Sequence, residues 1–295
     1  MDKKLTVPTA YIWRESGLYL GATYIPARDI KLTSDQLIIC LEGNVVTTRS
    51  DGSQFTSRSF LLKAGTINKA SNFDSTSAIV AIYYLNATSQ DFSILQTLMK
   101  GSNEGIHYDL EHEGLLIETL LRLRDEKFSA EDAHQTLREA LIPESMRNSK
   151  IKDFDERIVK VINRIEQTAD KNLTVRELAE EVYLSESRLV KLFKAQIGIP
   201  ITRYRLRFRV SLGATYMAMG CSVTDAALLS GFASTAHFSK CYVAIMGIQP
   251  STAFLHSPFL NIIIADSILQ SLKEKSRALV KTNQATPGSG LKDTQ

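Results

Sequence analysis

The chain has 295 residues, 44% of them hydrophobic, which is enough for two domains with a core each. Its net charge of +3 conceals a division, −3 over residues 1–150 against +4 over residues 151–257, so a surface that meets phosphates is expected in the second half. Cys40, Cys221 and Cys241 are odd in number and far apart, which points to neither a disulfide framework nor a paired-thiolate zinc site. The N-terminal lysines have no apolar run behind them, and Phe259–Leu272 is too short and too polar to span a bilayer. A cytoplasmic protein with no membrane segment and no cofactor is the expectation.

In chain order, Gln36–Leu41, Val45–Thr48, Phe60–Lys63 and Ala78–Leu85 are short runs of β-branched and aromatic residues. Glycine-bearing turns separate them at about 8–12-residue intervals, as in a small antiparallel barrel or sandwich. From Asp91 the apolar period becomes helical. Ile94, Leu95 and Leu98 form one stripe and Leu116, Leu120 and Leu123 a second, with a third candidate helix over Ala130–Leu141. The second stripe suits either a two-helix dimer contact or packing against the strands. Pro143 ends the third helix and a polar linker follows, placed at residues 146–152. Asp153–Asp170 is amphipathic, burying Ile158, Val161, Ile162 and Ile165. Beyond His256 an amphipathic helix over Ile262–Leu279 is expected, then a polar, disordered end over Thr282–Gln295.

Between these lies a pattern that occurs twice. Ser185, Lys191, Phe193 and Gly198 recur as Ser234, Lys240, Tyr242 and Gly247, at a constant offset of 49 residues. In the first copy Thr174 and Glu177 have the spacing of a capping box, opening a helix that buries Val175, Leu178, Ala179 and Val182. A turn at Tyr183-Leu184 leads to a second helix capped by Ser185, with Leu189, Leu192 and Phe193 inward. In the second copy Ser222 is the cap, Val223, Ala226 and Ala227 are inward, and Gly231 marks the turn. Ser234 then caps a helix burying Phe238, Cys241 and Tyr242. Two helices crossing through a short turn, with a small residue at the contact, are a helix-turn-helix unit. Its second helix can enter the major groove with its N-terminal residues toward base edges.

Removing the inward positions leaves Glu186, Ser187, Arg188 and Lys191 in the first copy, and Thr235, Ala236, His237 and Lys240 in the second. Arg and Lys donate to guanine O6 and N7, and Ser and Thr serve several base edges. With the caps Ser185 and Ser234, and with Lys194 and Arg203 as further cations, these are the candidate DNA-binding residues. Arg203, Arg205, Arg207 and Arg209 on the intervening helix cannot share one face. Some are expected to reach phosphates, and Arg209 to turn inward toward Asp225.

The repeat resembles the AraC/XylS family of bacterial transcription regulators. The likeness rests on Leu178, Ala179, Ser185, Leu189, Lys191, Leu192, Phe193, Lys194, Gly198, Tyr204, Arg209, Gly231, Phe232, Phe238, Gly247 and Pro250. Lys191 and Lys240 stand where the family often has Arg, and Ala236 where it has Ser. The resemblance implies an α+β chain. An N-terminal cupin-like β-barrel with helices (residues 1–145) precedes an all-α, seven-helix DNA-binding domain (153–257), and 258–295 is an extension. It also implies a transcription activator, not an enzyme, that places two helices in successive major grooves of double-stranded promoter DNA, with RNA polymerase as a further partner. Leu41-Glu42-Gly43 and Lys63-Ala64-Gly65 carry the weaker likeness of the front half.

A metal-dependent enzyme was weighed on His107 and His112, which lie near Asp109 and Glu111. They fall where the sequence reads as loop and helix start rather than as adjacent strands, so no metal site is expected. Two modes of control fit the sequence. A small-molecule effector could occupy the barrel interior, with Trp13, Tyr24, Ile39 and Tyr83 as candidate lining residues. Alternatively the regulator has no effector and answers only to a partner protein or to homodimer formation.

Overall fold

The computed structural model describes residues 7–22, 30–43, 45–48, 53–68, 79–103, 105–171, 173–254 and 260–272. The N-terminal half opens with β1 (Thr9–Ile12), β2 (Gly17–Ala22), β3 (Ile30–Lys31), β4 (Gln36–Glu42) and β5 (Val45–Thr48). It continues through β6 (Gln54–Ser57), β7 (Ser59–Leu62), β8 (Ile67–Asn68) and β9 (Ile79–Tyr84). Then come α1 (Asp91–Thr97), β10 (Met99–Asn103), β11 (Ile106–Leu110), α2 (Glu113–Asp125) and α3 (Ala130–Leu141). Seven helices follow: α4 (Glu156–Gln167), α5 (Val175–Glu180), α6 (Glu186–Ile197), α7 (Ile201–Ala218), α8 (Val223–Leu229), α9 (Thr235–Met246) and α10 (Pro250–Phe254). The last strand is β12 (Asn261–Ile264).

Eight strands pair in the order β10-β11-β7-β4-β9-β2-β1-β12, and β3–β8 and β5–β6 form two short ribbons. The run Leu37-Ile38-Ile39-Cys40-Leu41 in β4 is apolar without alternation because both faces of the sheet are covered. Leu37, Ile39 and Leu41 point to a core shared with α1, α2 and α3. Ile38 and Cys40 point to a second core with Phe60, Leu62 and Val80, against which Phe55 and Tyr108 pack. Leu116, Leu120 and Leu123 are buried in the first of these cores, so the stripe on α2 packs on the sheet and is not a surface for a second copy.

Sequence periodicity missed β1, β2 and the hairpin β10–β11. His107 therefore lies inside a strand, bonded across the ladder to Leu61, and not beyond the last strand. The helix expected over Ile262–Leu279 is also corrected. Its first residues are β12, which pairs in parallel with β1 from Thr9↔Asn261 to Ile12↔Ile264. Helical turns begin only at residue 266 and run to 272 among the described residues. The disordered end expected at Thr282–Gln295 lies outside the described residues.

The two halves touch closely. Gln90 holds the end of the linker as a strand would, its Oε1 accepting from Ile151 N at 3.0 Å and Lys152 N at 2.8 Å while its Nε2 donates to Lys152 O at 2.8 Å. Lys152 Nζ donates to Gln196 O at 2.8 Å, so the linker is pinned at both sides. Gly198, with φ of +87°, lies so near Ala64 that a Cβ there would come within 2.9 Å of the Ala64 carbonyl oxygen. Only glycine combines that backbone angle with that approach.

Glu166 of α4 accepts a hydrogen bond from Tyr204 Oη at 3.2 Å. Burial, and then the Glu15 carboxylate from the other half, push its pKa up to about 7. A carboxyl raised above its unfolded value binds its proton more tightly in the native state, so its contribution to stability falls as pH rises through the usual carboxylate range toward 7. Glu166→Gln keeps an acceptor for Tyr204 and removes the charge. Its melting midpoint should exceed the parent's at pH 8 and converge with it near pH 5; equal midpoints at both pH values would refute this assignment.

Candidate nucleic-acid interface

The two helix-turn-helix units are built on the same local rules. Thr174 and Glu177 form the reciprocal capping box, with Glu177 N donating to Thr174 Oγ1 at 3.1 Å and Thr174 N donating to Glu177 Oε2 at 2.6 Å. Ser222 opens α8 in a similar way, accepting from Asp225 N at 3.1 Å and donating to its carboxylate at 2.6 Å. The turns close identically: Leu184 N donates to Ala179 O and Phe232 N to Ala227 O, each at 2.9 Å. Through the turns the repeat offset is 48 residues, and Ala233 supplies the extra residue that makes it 49 from Ser234 onward.

The residue at each turn is left-handed, Tyr183 at φ +56° and Gly231 at φ +78°. At Gly231 glycine is required, since a Cβ would lie 2.3 Å from the Asp170 carbonyl oxygen. Tyr183 is the opposite case. It is 95% exposed, so its ring contributes nothing to the core, and its backbone sits where a bulky side chain is disfavoured. The sequence marked it only as a turn residue. The informative signal was that its counterpart in the second copy is glycine.

Cations from the preceding helix brace each unit at the end of its first helix. In the first, Lys160 Nζ donates to Glu181 O at 3.0 Å and Arg164 Nε to the Glu181 carboxylate at 2.9 Å. In the second, Arg209 Nε donates to Ser230 O at 3.2 Å, its Nη2 donates to Gly231 O, and the guanidinium lies 4.3 Å from the Phe232 ring centre. Arg209 is inward as expected, but its partners are the turn carbonyls and not Asp225. A helix's last carbonyls are unsatisfied acceptors, which is why a cation suits this place.

The side chains of α6 and α9 divide cleanly. Leu189, Phe193 and Ile197 are buried in the first unit with Ile158, Val161, Ile162, Ile165, Leu178 and Ala179. Phe238, Cys241 and Tyr242 are buried in the second with Ala226, Ala227 and Phe232. Ser185 caps α6 by accepting from Arg188 N, and Ser234 caps α9 by accepting from His237 N. Outward on α6 stand Glu186, Ser187, Arg188, Lys191 and Lys194, all exposed. Ser187, Lys191 and Lys194 share one face of that helix, with Arg188 beside them.

The second helix offers less. Ala236, His237 and Lys240 are exposed and Thr235 is half-buried. Thr235 Oγ1 lies 3.4 Å from Thr224 Oγ1, and the His237 ring packs edge-on to Phe232 at 5.4 Å. The position matching Lys194 is Val243. The arginines of α7 are largely engaged within the molecule. Arg203 Nη2 donates to Lys31 O of the N-terminal half at 2.8 Å, so it lies at the domain boundary, apart from the outward residues of α6 and α9. Arg207 lies over the Phe208 ring at 5.1 Å.

Of the candidate effector residues, Trp13 stacks on Tyr11, contacts the Tyr83 and His134 rings, and donates from Nε1 to Ala130 O at 2.6 Å. Ile39 and Tyr83 are buried in the same core, and burial pushes the Tyr83 phenol up to about 12. All three are buried in the core between the sheet and its helices. Tyr24 lies outside the described residues.

A helix-turn-helix domain family matches residues 178–254, which span both units. Residues 178–254 form an AraC-type helix-turn-helix domain. Curated relatives extend the likeness a little beyond it. The probable transcriptional regulator LumQ of Photobacterium leiognathi is 33% identical over 105 residues, covering 33% of this chain and 42% of that protein. The HTH-type transcriptional regulator GbdR of Pseudomonas aeruginosa is 28% identical over 132 residues, 44% of this chain and 36% of that protein. The chain thus spans less than half the length of the curated relatives it matches. Over most of its length the fold is that of ToxT from Vibrio cholerae, with a TM-score of 0.51 at 16% identity, covering 82% of this chain and 98% of the other. The AraC-type domain is therefore joined here to an N-terminal β domain in the same overall fold as ToxT. No helix among the described residues is long and apolar enough to cross a membrane.

Phe193 is fully buried at the centre of the first unit of the AraC-type domain. Phe193→Ala should cost about 3–5 kcal/mol of stability, read as a lowered denaturant midpoint of the full chain; an unchanged midpoint would contradict its central place.

Proposed function

We propose that the chain is a sequence-specific transcription regulator, an activator, that inserts α6 and α9 into successive major grooves of promoter DNA. The observation that carries this is the doubled, identically closed turn, followed each time by a serine-capped helix with an exposed lysine at the same position, Lys191 and Lys240. Serine caps and positive helix N-termini favour phosphate nearby, while the outward side chains reach base edges. α6 is the stronger reader, because it presents Arg188, Lys191, Lys194 and Ser187 together. α9 has a methyl group at Ala236 and two side chains partly engaged in its own unit. Arg203 is left out of the interface in this arrangement.

Tyr183 belongs to the same surface. A left-handed tyrosine that packs on nothing is best explained by a contact outside the chain, and it directly precedes the cap of α6. Its phenol suits a phosphate and its ring a deoxyribose, so it would position the helix without reading sequence.

Control by the N-terminal half is proposed through a small-molecule effector. One ToxT structure was solved with an unsaturated fatty acid bound, so an apolar effector is the chemistry favoured for this fold. The second reading, control by a partner protein or by homodimer formation alone, is favoured by the burial of Trp13, Ile39 and Tyr83 in the core. A ligand of the native state raises the melting midpoint, so a thermal-shift screen of fatty acids and polar metabolites discriminates between the two. The activator itself would work through RNA polymerase at the promoter.

In vitro selection of bound duplexes should return one preferred sequence with steep salt dependence; recovery of random sequence would defeat the proposal. Lys191→Ala or Arg188→Ala should weaken the selected site by about 1–3 kcal/mol and relax preference at one or two base pairs. Parent-like binding by both variants would remove α6 from the interface. Tyr183→Gly should melt no lower than the parent and bind selected and random duplexes equally more weakly, with the salt slope unchanged. A Tyr183→Gly variant that binds as tightly as the parent would exclude the phosphate contact.

A further inference from the structure

The helix α7 is shared between the two helix-turn-helix units. Its first half supplies Tyr204 and Phe208 to the core of the first unit, and its second half supplies Val210, Tyr216 and Met217 to the core of the second. Each unit also has its own attachment to the N-terminal half. The first is held where Ala64 joins its core against Gly198, and where Gln90 and Lys152 pin the linker to Gln196. The second touches β3 through α9 and is held further by a different device, the segment 260–272.

This segment, which follows α10 in sequence, lies on the N-terminal sheet. Asn261 N donates to Pro8 O at 2.8 Å and Ala265 N to Ile12 O at 3.0 Å, at the two ends of the parallel β12–β1 ladder. Asp266 N then donates to a Glu131 carboxylate oxygen of α3 at 2.9 Å. Ala265 is buried in the N-terminal core, and Ile263 packs against it. Ile268 packs against the N-terminal core and the second-unit core together. Leu272, only 4% exposed, ends inside the core of the second unit with Phe238 and Tyr242. The segment is therefore a hook, caught on β1 along its strand and anchored at Leu272 inside the second unit.

The outward residues of α6 and α9 remain exposed with the hook in place. It does not cover the reading surface, so what it can govern is where α9 sits relative to α6.

We propose that the hook formed by residues 260–272 is a positioning element that fixes the second reading helix on the N-terminal sheet, and so sets the half-site spacing the protein accepts. The proposal rests on the DNA-binding reading above. Two linked binding modules act with a high effective concentration only when their linkage matches the span between sites. For paired reading helices that span is a number of base pairs. Detaching the hook leaves α7 and the contact of α9 with β3 as the ties of the second unit, and lets that unit sample other spacings.

The test uses the full chain and duplexes derived from the site that in vitro selection returns for the parent. One duplex keeps both half-sites, one keeps the α6 half-site alone, and two have the half-sites moved apart by about one or two base pairs. Ile263→Pro removes an N–H donor from the middle of β12. It should bind the two-half-site duplex at least about tenfold more weakly, leave the single half-site unchanged, and lose the parent's discrimination between spacings. In a second variant, Ala10→Cys with Ile262→Cys, the substituted residues are paired across the ladder, so oxidation locks the hook closed. That protein should keep the parent's discrimination, both oxidised and reduced.

The proposal is overturned if Ile263→Pro retains the parent's spacing preference, or if it loses the single half-site as well, which would make the hook merely part of the fold. Loss of discrimination in the oxidised double-cysteine protein overturns it equally. If the parent itself selects no duplex, the DNA-binding reading fails first, and that result is distinct from each of these.

Discussion

The turn that joins the two helices of each unit is the constraint on which the rest depends. A backbone N–H reaches back five residues to an alanine carbonyl, Leu184 to Ala179 and Phe232 to Ala227. That bond forces one left-handed residue, and it brings the second helix across the first at a point where only a small side chain fits. Leu189 and Phe193, or Phe238 and Tyr242, are then driven into the core, and the opposite face is set outward. The cap serines, the bracing cations and the exposed lysines all take their positions from that crossing. Arg209 and Lys160 show how much is invested in it, since each reaches from the preceding helix to satisfy carbonyls at the end of the first.

The same turn explains how one architecture can hold two helices with unlike outward faces. The inward residues are constrained by packing and are similar in both copies. The outward ones carry no such constraint and have diverged, to Arg188 and Lys194 in one and to His237 and Val243 in the other. Tyr183 and Gly231 diverge for a further reason. Gly231 is pressed against Asp170 and tolerates no side chain, whereas the space beside Tyr183 is open.

Legibility in the sequence followed the range of the forces involved. The doubled unit was readable down to its caps because capping, turn closure and helix amphipathicity act within about one or two helical turns. Strands β4, β5, β7 and β9 were readable from β-branched runs between glycine turns. The strands β1, β2, β10 and β11 were not, because their alternation is interrupted by Tyr, Gly, Lys and Ser whose environment is set by distant partners. The apolar run Ile262–Ile264 looked helical for the same reason, since nothing local reveals that β1 lies beside it. Arg209 was legible as an inward cation and Arg203 as an outward one, but their partners were not, being backbone carbonyls invisible in a sequence. Trp13, Ile39 and Tyr83 carried the composition of a ligand pocket, and that composition is equally the composition of a core.

The pairing of β1 with β12 also bears on how the molecule comes into being. Strand β1 has one neighbour, β2, that follows it within a few residues, and another, β12, that follows the whole helix-turn-helix region. During synthesis the N-terminal domain can assemble its sheet through β2, yet the outer edge of β1 stays uncovered until the entire DNA-binding region has emerged. An unpaired edge is a template for wrong partners, and a contact between segments far apart in sequence is slow to close. Completion of the sheet therefore waits until the helix-turn-helix region that precedes β12 has been made.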